Sequence, residues 1–362
     1  MWMPRPLLIT AFMLTAMIFS GGAQAQSFSR TLSSKDLQTK EQNLLLSQDV
    51  SSALMACRDV VLKFQPGTYS GVSLTFDTRK RPTKCPARTT IDRASAGAVI
   101  FDGGQAPRFL TLLTKSSSFP GTIRNIAIRN YLNGIGIVND GAEKRPISSL
   151  TNDGPGMTIS NVAFNAIGAQ ASKKRGEATG WGAITLWFTY NNVIKNNKFQ
   201  GVGNAADSSL IHAVYLYGAR NNRIEKNFFG AMDGTVLKFR NGADQNVVDR
   251  NMFRFEGQPL LQEWFCNADL RGAKNCSVPE CPSDRIRFTN NQILKSQVKD
   301  TTRRGGGGQA ITNPFLSYER LSGLNIAERY YVGRAAPKGC GSNQANLPLV
   351  NGKGGNKIVN VK

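Results

Sequence analysis

The sequence predicts an all-β protein wound as a single-stranded right-handed parallel β-helix, a solenoid with projecting loops. Three observations lead there: short alternating strands from about residue 60 onward, a weak repeat that returns once per coil, and an asparagine held at one register of that repeat.

Residues 1–25 read as a secretory signal. Arg5 supplies the positive start, residues 7–19 the apolar stretch, and Ala23-Gln24-Ala25 a small-x-small cleavage site. The apolar run is interrupted by Thr10 and Thr15 and is shorter than the roughly 20 residues that cross a bilayer, so no membrane span is expected. The mature chain is expected to start near Gln26, in the periplasm or outside the cell. Residues 26–57 are polar and serine-rich and form a cap segment with a short helix expected around residues 47–57.

The β-helix is expected over residues 58–300. Residues 60–69 alternate and then turn, residues 71–76 alternate again, and residues 89–91 and 98–104 continue the pattern. Six later segments stack: 126–130, 158–164, 193–199, 223–229, 247–253 and 286–293. In the last four, Ile194, Ile224, Val248 and Phe288 each precede an asparagine (Asn197, Asn227, Asn251, Asn291) by three positions, and an apolar residue follows that asparagine by two. A single coil is too small to bury its apolar face, so neighbouring coils must stack, and identical residues then fall above one another. The asparagines are expected to form a hydrogen-bonded ladder at a corner of the coil, where the turn suits a residue that strands disfavour. The spacing is 30 positions from Ile194 to Ile224 but 24 from Ile224 to Val248, so loops project from some coils. Residues 301–362, opening with Arg303, Arg304 and a four-glycine run, read as a linker and tail.

Six cysteines follow the cleavage site: Cys57, Cys85, Cys266, Cys276, Cys281 and Cys340. An even number in an exported chain points to three disulfides, with Cys57 and Cys85 expected to pair near the start and the other four to staple the C-terminal region. Zinc is disfavoured by a single histidine and no Cys-x-x-Cys pair. Without Arg5 the mature chain carries 44 basic against 24 acidic residues, a charge of +20. Such a surface favours anionic partners, and export sets nucleic acid aside in favour of an acidic polysaccharide. Oligomeric state is not legible.

Residues 212–253, "HAVYLYGARNNRIEKNFFGAMDGTVLKFRNGADQNVVDRNMF", together with "FQPGTYSG" and "AVIFDGG" earlier, resemble the right-handed parallel β-helix proteins of the pectate-lyase-like superfamily. The likeness takes in residues 60–296. It implies the fold and a polysaccharide as substrate class. The superfamily includes lyases, hydrolases, C5-epimerases and phage depolymerases, and a shared fold does not choose among them. The aspartate cluster that holds calcium in pectate lyases is not evident, nor are the adjacent aspartates of pectinase hydrolases. No cofactor is called for, and calcium is left open.

Two consecutive strands carry candidate chemistry, residues 212–218 and 235–242. If Val214, Leu216, Leu237 and Phe239 point inward, then Tyr215, Tyr217, Lys238 and Arg240 point outward. Tyr215 and Lys238 are 23 positions apart, about one coil, so these four would share one face, with Trp187 on the coil before and Glu263 or Trp264 on the coil after. That set suits β-elimination on a uronate, which needs a cation on the carboxylate, a base for the C5 proton and an acid for the leaving oxygen. Arg240 is assigned the carboxylate, Lys238 or His212 the base, and Tyr215 the acid; Tyr217, Trp187, Asp233, Glu263 and Trp264 are expected to hold the sugar chain. The alternatives are a C5-epimerase, a glycoside hydrolase, for which Asp233 is the best acid, and a non-enzymatic polysaccharide-binding or assembly protein.

Overall fold

The computed structural model describes residues 26–82, 85–142, 154–168, 181–204, 211–255, 260–266, 280–283, 285–295, 319–321, 324–332, 350–351 and 355–360. The chain folds as a right-handed parallel β-helix. Each coil contributes one strand to each of three parallel sheets, visited in turn. Among the described residues the first sheet has ten strands and the second and third nine each, the third counting Glu319–Leu321, which pairs antiparallel with Leu324–Val332. One coil runs Val193–Lys195, Lys198–Gln200 and His212–Tyr217; the next runs Arg223–Glu225, Phe228–Phe229 and Leu237–Arg240, each strand pairing in register with its predecessor.

Stacking of like residues builds the core. Ile123, Ile159, Ile194, Ile224, Val248 and Phe288 follow one another through the first sheet. In the second, the rings of Phe164, Phe199, Phe229 and Phe253 stack with centroids 4.9, 4.9 and 4.8 Å apart. Those separations equal the spacing of hydrogen-bonded strands, so the backbone ladder itself brings the rings into contact. All four rings are fully buried, each contributing roughly 1.5–3 kcal/mol of apolar transfer energy.

The expected asparagine ladder is present. The Asn197 backbone N–H and side-chain amide both donate to Asn227 Oδ1, and the pattern continues through Asn251 and Asn291 to Asn356. A second ladder, Asn192 to Asn222 to Asn246, runs at the corner between the third and first sheets. The residue before each rung turns the chain in the left-handed region: Asn196, Lys226, Arg250 and Asn290 at one corner and Asn191, Asn221 and Gln245 at the other, all with φ of 53–59°. Asparagine tolerates that conformation, which accounts for the Asn-Asn pairs.

The helix spans Lys40–Met55, earlier and longer than the expected 47–57, because Thr39 and Gln42 form a capping box at its start. It lies along the edge strand Leu74–Asp77, whose amides at Thr75 and Asp77 donate to the Ser47 and Ser51 hydroxyls, so the open edge of the third sheet is capped. Strand Phe28–Leu32 begins the first sheet by pairing with Val60–Phe64. Cys57 and Cys85 are joined as expected, Cα atoms 5.5 Å apart, and Cys281 is also disulfide-bonded. Cys276, Cys340, the Cys266 side chain and the candidate signal lie outside the described residues.

The β-helix does not stop at residue 300. Leu324–Val332 pairs with Leu261–Cys266, Val350–Asn351 with Ile286–Thr289 and Lys357–Asn360 with Gln292–Lys295. The region read as linker and tail therefore adds further strands to all three sheets. Its repeat is concealed by the long insertions between strands.

Candidate active site

Alternation along the third sheet places the predicted residues as the sequence implied. Tyr215 is in register with Lys238, and Tyr217 with Arg240. Trp187 precedes Tyr217 in the same column, and Trp264 follows Arg240. The Trp264 side chain is outside the described set. Their neighbours Val214, Leu216, Leu237 and Phe239 are buried in the main core.

His212 would face inward by strict alternation, two positions before Val214. The amides of Ala213 and Val214 instead both donate to the Val236 carbonyl, at 3.0 and 3.2 Å. Two residues thus oppose one, as in a β-bulge, and His212 is returned to the face of Tyr215. The two rings lie nearly parallel, centroids 5.8 Å apart. His212 Nδ1 is 2.9 Å from the Thr235 carbonyl. A carbonyl accepts and cannot donate, so Nδ1 carries the proton, and in the neutral ring Nε2 is the basic nitrogen.

These groups were expected on an open surface, but the face is roofed: Tyr215 and His212 are each 2 % exposed and Lys238 9 %. Trp181 packs on Tyr215 and on Trp187, and Trp187 stacks on Tyr217 at 3.9 Å. Burial pushes the Tyr215 hydroxyl up to about 12 against the pull of the nearby Arg240 charge. Tyr217 is raised further, by burial and by the Glu280 carboxylate. Both stay protonated donors at neutral pH.

Arg240 already has a carboxylate. Its Nε and Nη2 donate to Glu280 at 2.6–2.9 Å, its guanidinium lies over the Tyr217 ring, and its Nη1 points to the Tyr215 oxygen at 3.5 Å. Burial alone would lower Arg240; Tyr215 and Glu280 outweigh it and hold the guanidinium above its ordinary value. Tyr217 also donates its hydroxyl to Glu280, at 3.0 Å. The role first assigned to Arg240, capture of a substrate carboxylate, is thus filled by a residue of the chain.

Glu263 faces the other way. It stands in register with Phe239, is fully buried, and accepts from the Ser283 backbone N–H. Sequence alternation allowed either Glu263 or Trp264 outside; Glu263 is not there. Glu263 instead anchors the segment that carries Glu280, which is also held by Cys281 N–H on Asn241 Oδ1 and Gly242 N–H on the Cys281 carbonyl. Asp233 sits on the exposed corner between the second and third sheets, against Gly203 of the coil before, rather than beside Tyr215. Lys238 donates to Gln262 Oε1, one coil on.

Glu280 and Trp181 were missed. Both come from segments between repeats, where periodicity is silent; the one signal was a lone carboxylate beside a cysteine, Pro279-Glu280-Cys281-Pro282. Among the described residues no three His, Cys, Asp or Glu side chains cluster as a metal would require, and no helix is long and apolar enough to cross a membrane.

No protein-family model and no curated protein matches the chain. Two solved structures are similar to it. One is an alginate lyase from Paenibacillus sp. str. FPU-7, 12% identical over 75% of this chain and 90% of that one, TM-score 0.39. The other is a PL6 family polysaccharide lyase from Pseudopedobacter saltans, 12% identical over 82% and 87%, TM-score 0.28. At such identity and superposition, the fold assignment rests on this chain's own strand pairing.

Proposed function

We propose that this chain is an exported lyase that cleaves an acidic, uronate-containing polysaccharide by β-elimination on the outer face of the third sheet. The observation that carries the reading is the convergence of His212, Tyr215, Lys238 and Arg240 on adjacent coils of one face. A basic imidazole nitrogen, a protonated phenol and a cation are the three groups the reaction needs.

His212 Nε2 takes the C5 proton of the uronate, and Lys238, in register with Tyr215, offsets charge on the carboxylate as the C5 carbanion develops. The C5–H electron pair becomes the C4=C5 double bond, the C4–O bond breaks, and the departing oxygen takes the Tyr215 proton. Arg240, fixed by Glu280, directs Nη1 at the Tyr215 oxygen and stabilises the phenolate left behind. Proton return from His212 to Tyr215 through solvent resets the site. Arg240 is therefore a positioning and stabilising group in this scheme, and the fixed His212 tautomer favours that residue over Lys238 as the base.

The test is ultraviolet absorbance of the unsaturated uronate on incubation with a panel of acidic polysaccharides. Turnover that disappears in His212→Gln and Tyr215→Phe supports the reading, and no absorbance from any acidic chain overturns it. Product analysis by NMR separates neighbouring chemistries: inverted C5 without chain cleavage marks an epimerase, and new reducing ends without a double bond mark a hydrolase. Burial of Tyr215 and His212 favours a second reading, an acidic-polysaccharide-binding protein; tight binding with no turnover on any substrate would establish it.

A further inference from the structure

We infer that Arg108 forms a second anion-binding subsite, which takes a carboxylate of the same polysaccharide at a sugar further along the chain than the one at Lys238. This rests on the reading of the chain as one that handles acidic glycans. Arg108 stands on the outer face of the third sheet, opening the strand Arg108–Thr114. Its guanidinium lies against Gly136 of the next coil: a Cβ built on that glycine would stand 2.7 Å from Nη1 and 3.1 Å from Cζ. Gly136 is thus the residue that leaves room for the guanidinium.

The arginine has no counter-ion among the described residues. Its Nε is buried without an acceptor, and burial lowers its pKa with no anionic neighbour opposing. Most other arginines of the described solenoid surface are paired: Arg79, Arg124, Arg129, Arg220, Arg223, Arg240 and Arg250 each meet a carboxylate. A half-buried guanidinium with an unmet donor costs stability unless something pairs with it, and a carboxylate fits its planar fork.

The position suits one polymer. The register runs from Gly136 to Thr185, Tyr215 and Lys238 along a single column of the sheet. Thr185 Oγ1, between the two sites, is likewise buried without a partner. Two strand spacings, about 10 Å, separate Gly136 from Tyr215. A chain lying along the solenoid axis would then present one carboxylate to Lys238 and another, further along, to Arg108.

The experiment compares Arg108→Met and Arg108→Lys with the parent by calorimetric binding of a size series of alginate and polygalacturonate oligosaccharides, with neutral cello-oligosaccharides as control, and by thermal melting. Arg108→Met is expected to bind the longer acidic oligosaccharides about 10- to 100-fold more weakly, to bind the shortest as the parent does, and to melt at the same or a higher temperature. Arg108→Lys is expected to fall between. Equal affinity of parent and Arg108→Met overturns the subsite, as does a variant that melts markedly lower or fails to fold, which would make Arg108 a structural group. A parent that binds acidic chains but never cleaves them overturns the lyase reading and leaves this inference standing; a parent that binds none overturns both.

Discussion

At the corner between the first and second sheets, Asn197, Asn227, Asn251, Asn291 and Asn356 stand above one another, and each rung from Asn197 to Asn291 accepts or donates through both side-chain atoms or the amide and carbonyl of its neighbours. On the outer face of the third sheet the corresponding column reads Thr111, Gly136, Thr185, Tyr215, Lys238, Gln262, with no two successive positions alike. The first column is satisfied within itself, whereas the second contains a buried hydroxyl with no partner at Thr185. Stacking rewards repetition, because one residue that suits a corner suits the same corner one coil later. Loss of repetition on a buried, polar, aromatic-roofed face marks a place where something other than stacking selected the residues.

Removing one group from each column should therefore give opposite signatures. Tyr215→Phe is expected to lower turnover of the acidic polysaccharide about 10²- to 10⁴-fold while moving the unfolding midpoint little, measured by product absorbance and urea denaturation together. Comparable loss of stability would mean that the outer column is packing like the rest. Asn227→Ala should do the reverse. It removes the acceptor of both Asn197 amides and takes one donor from the Ile194 carbonyl and one from Asn251 Oδ1, which keeps the backbone N–H of residue 227, and at roughly 1–3 kcal/mol for a buried unmet polar group it is expected to cost about 3 kcal/mol or more in denaturant unfolding.

Glu280→Gln sharpens the contrast by acting between the two regimes. It removes the Glu280 charge from Arg240, so about 3 kcal/mol of stability should be lost together with roughly tenfold in turnover, since Glu280 no longer fixes Arg240 by the Tyr215 oxygen. Glu280→Gln with full turnover would show that Arg240 has no part in the reaction. The smallest effect is alkaline. Burial holds Tyr69 and Tyr215 at about 12, above the ordinary value of 10. A phenol whose folded pKa is raised stabilises the fold fully below the unfolded pKa and progressively less as pH climbs from about 10 to 12. Melting temperature should thus fall over that window, less steeply in Tyr215→Phe, and Tyr69 and Tyr215 should contribute no phenolate absorbance near pH 10 in the folded protein.

What the sequence disclosed follows the same division. The ladder Asn197, Asn227, Asn251 and Asn291 was legible because a repeated residue at fixed offset from a repeated hydrophobe is a periodic signal, and so was the register of Tyr215 with Lys238, which needs a coil length and alternation alone. The Asn192, Asn222, Asn246 ladder was overlooked although it obeys the same rule, its residues masked by adjoining left-handed asparagines. His212 reached the Tyr215 face through a bulge that alternation does not foresee. Glu280, Trp181 and the roof over the site come from inserted segments, whose placement depends on contacts far apart in sequence, such as Glu263 on Ser283. Arg108 was not singled out, because an arginine in a strand looks like any solvated charge until its missing partner is seen.

The most direct test is a crystal structure of Tyr215→Phe soaked with an acidic oligosaccharide that the parent cleaves. The account predicts sugar density along the outer face of the third sheet, a C5 atom within hydrogen-bond reach of His212 Nε2 and a carboxylate at Lys238. Density on the first or second sheet, or along the exposed corner near Asp233, would contradict it.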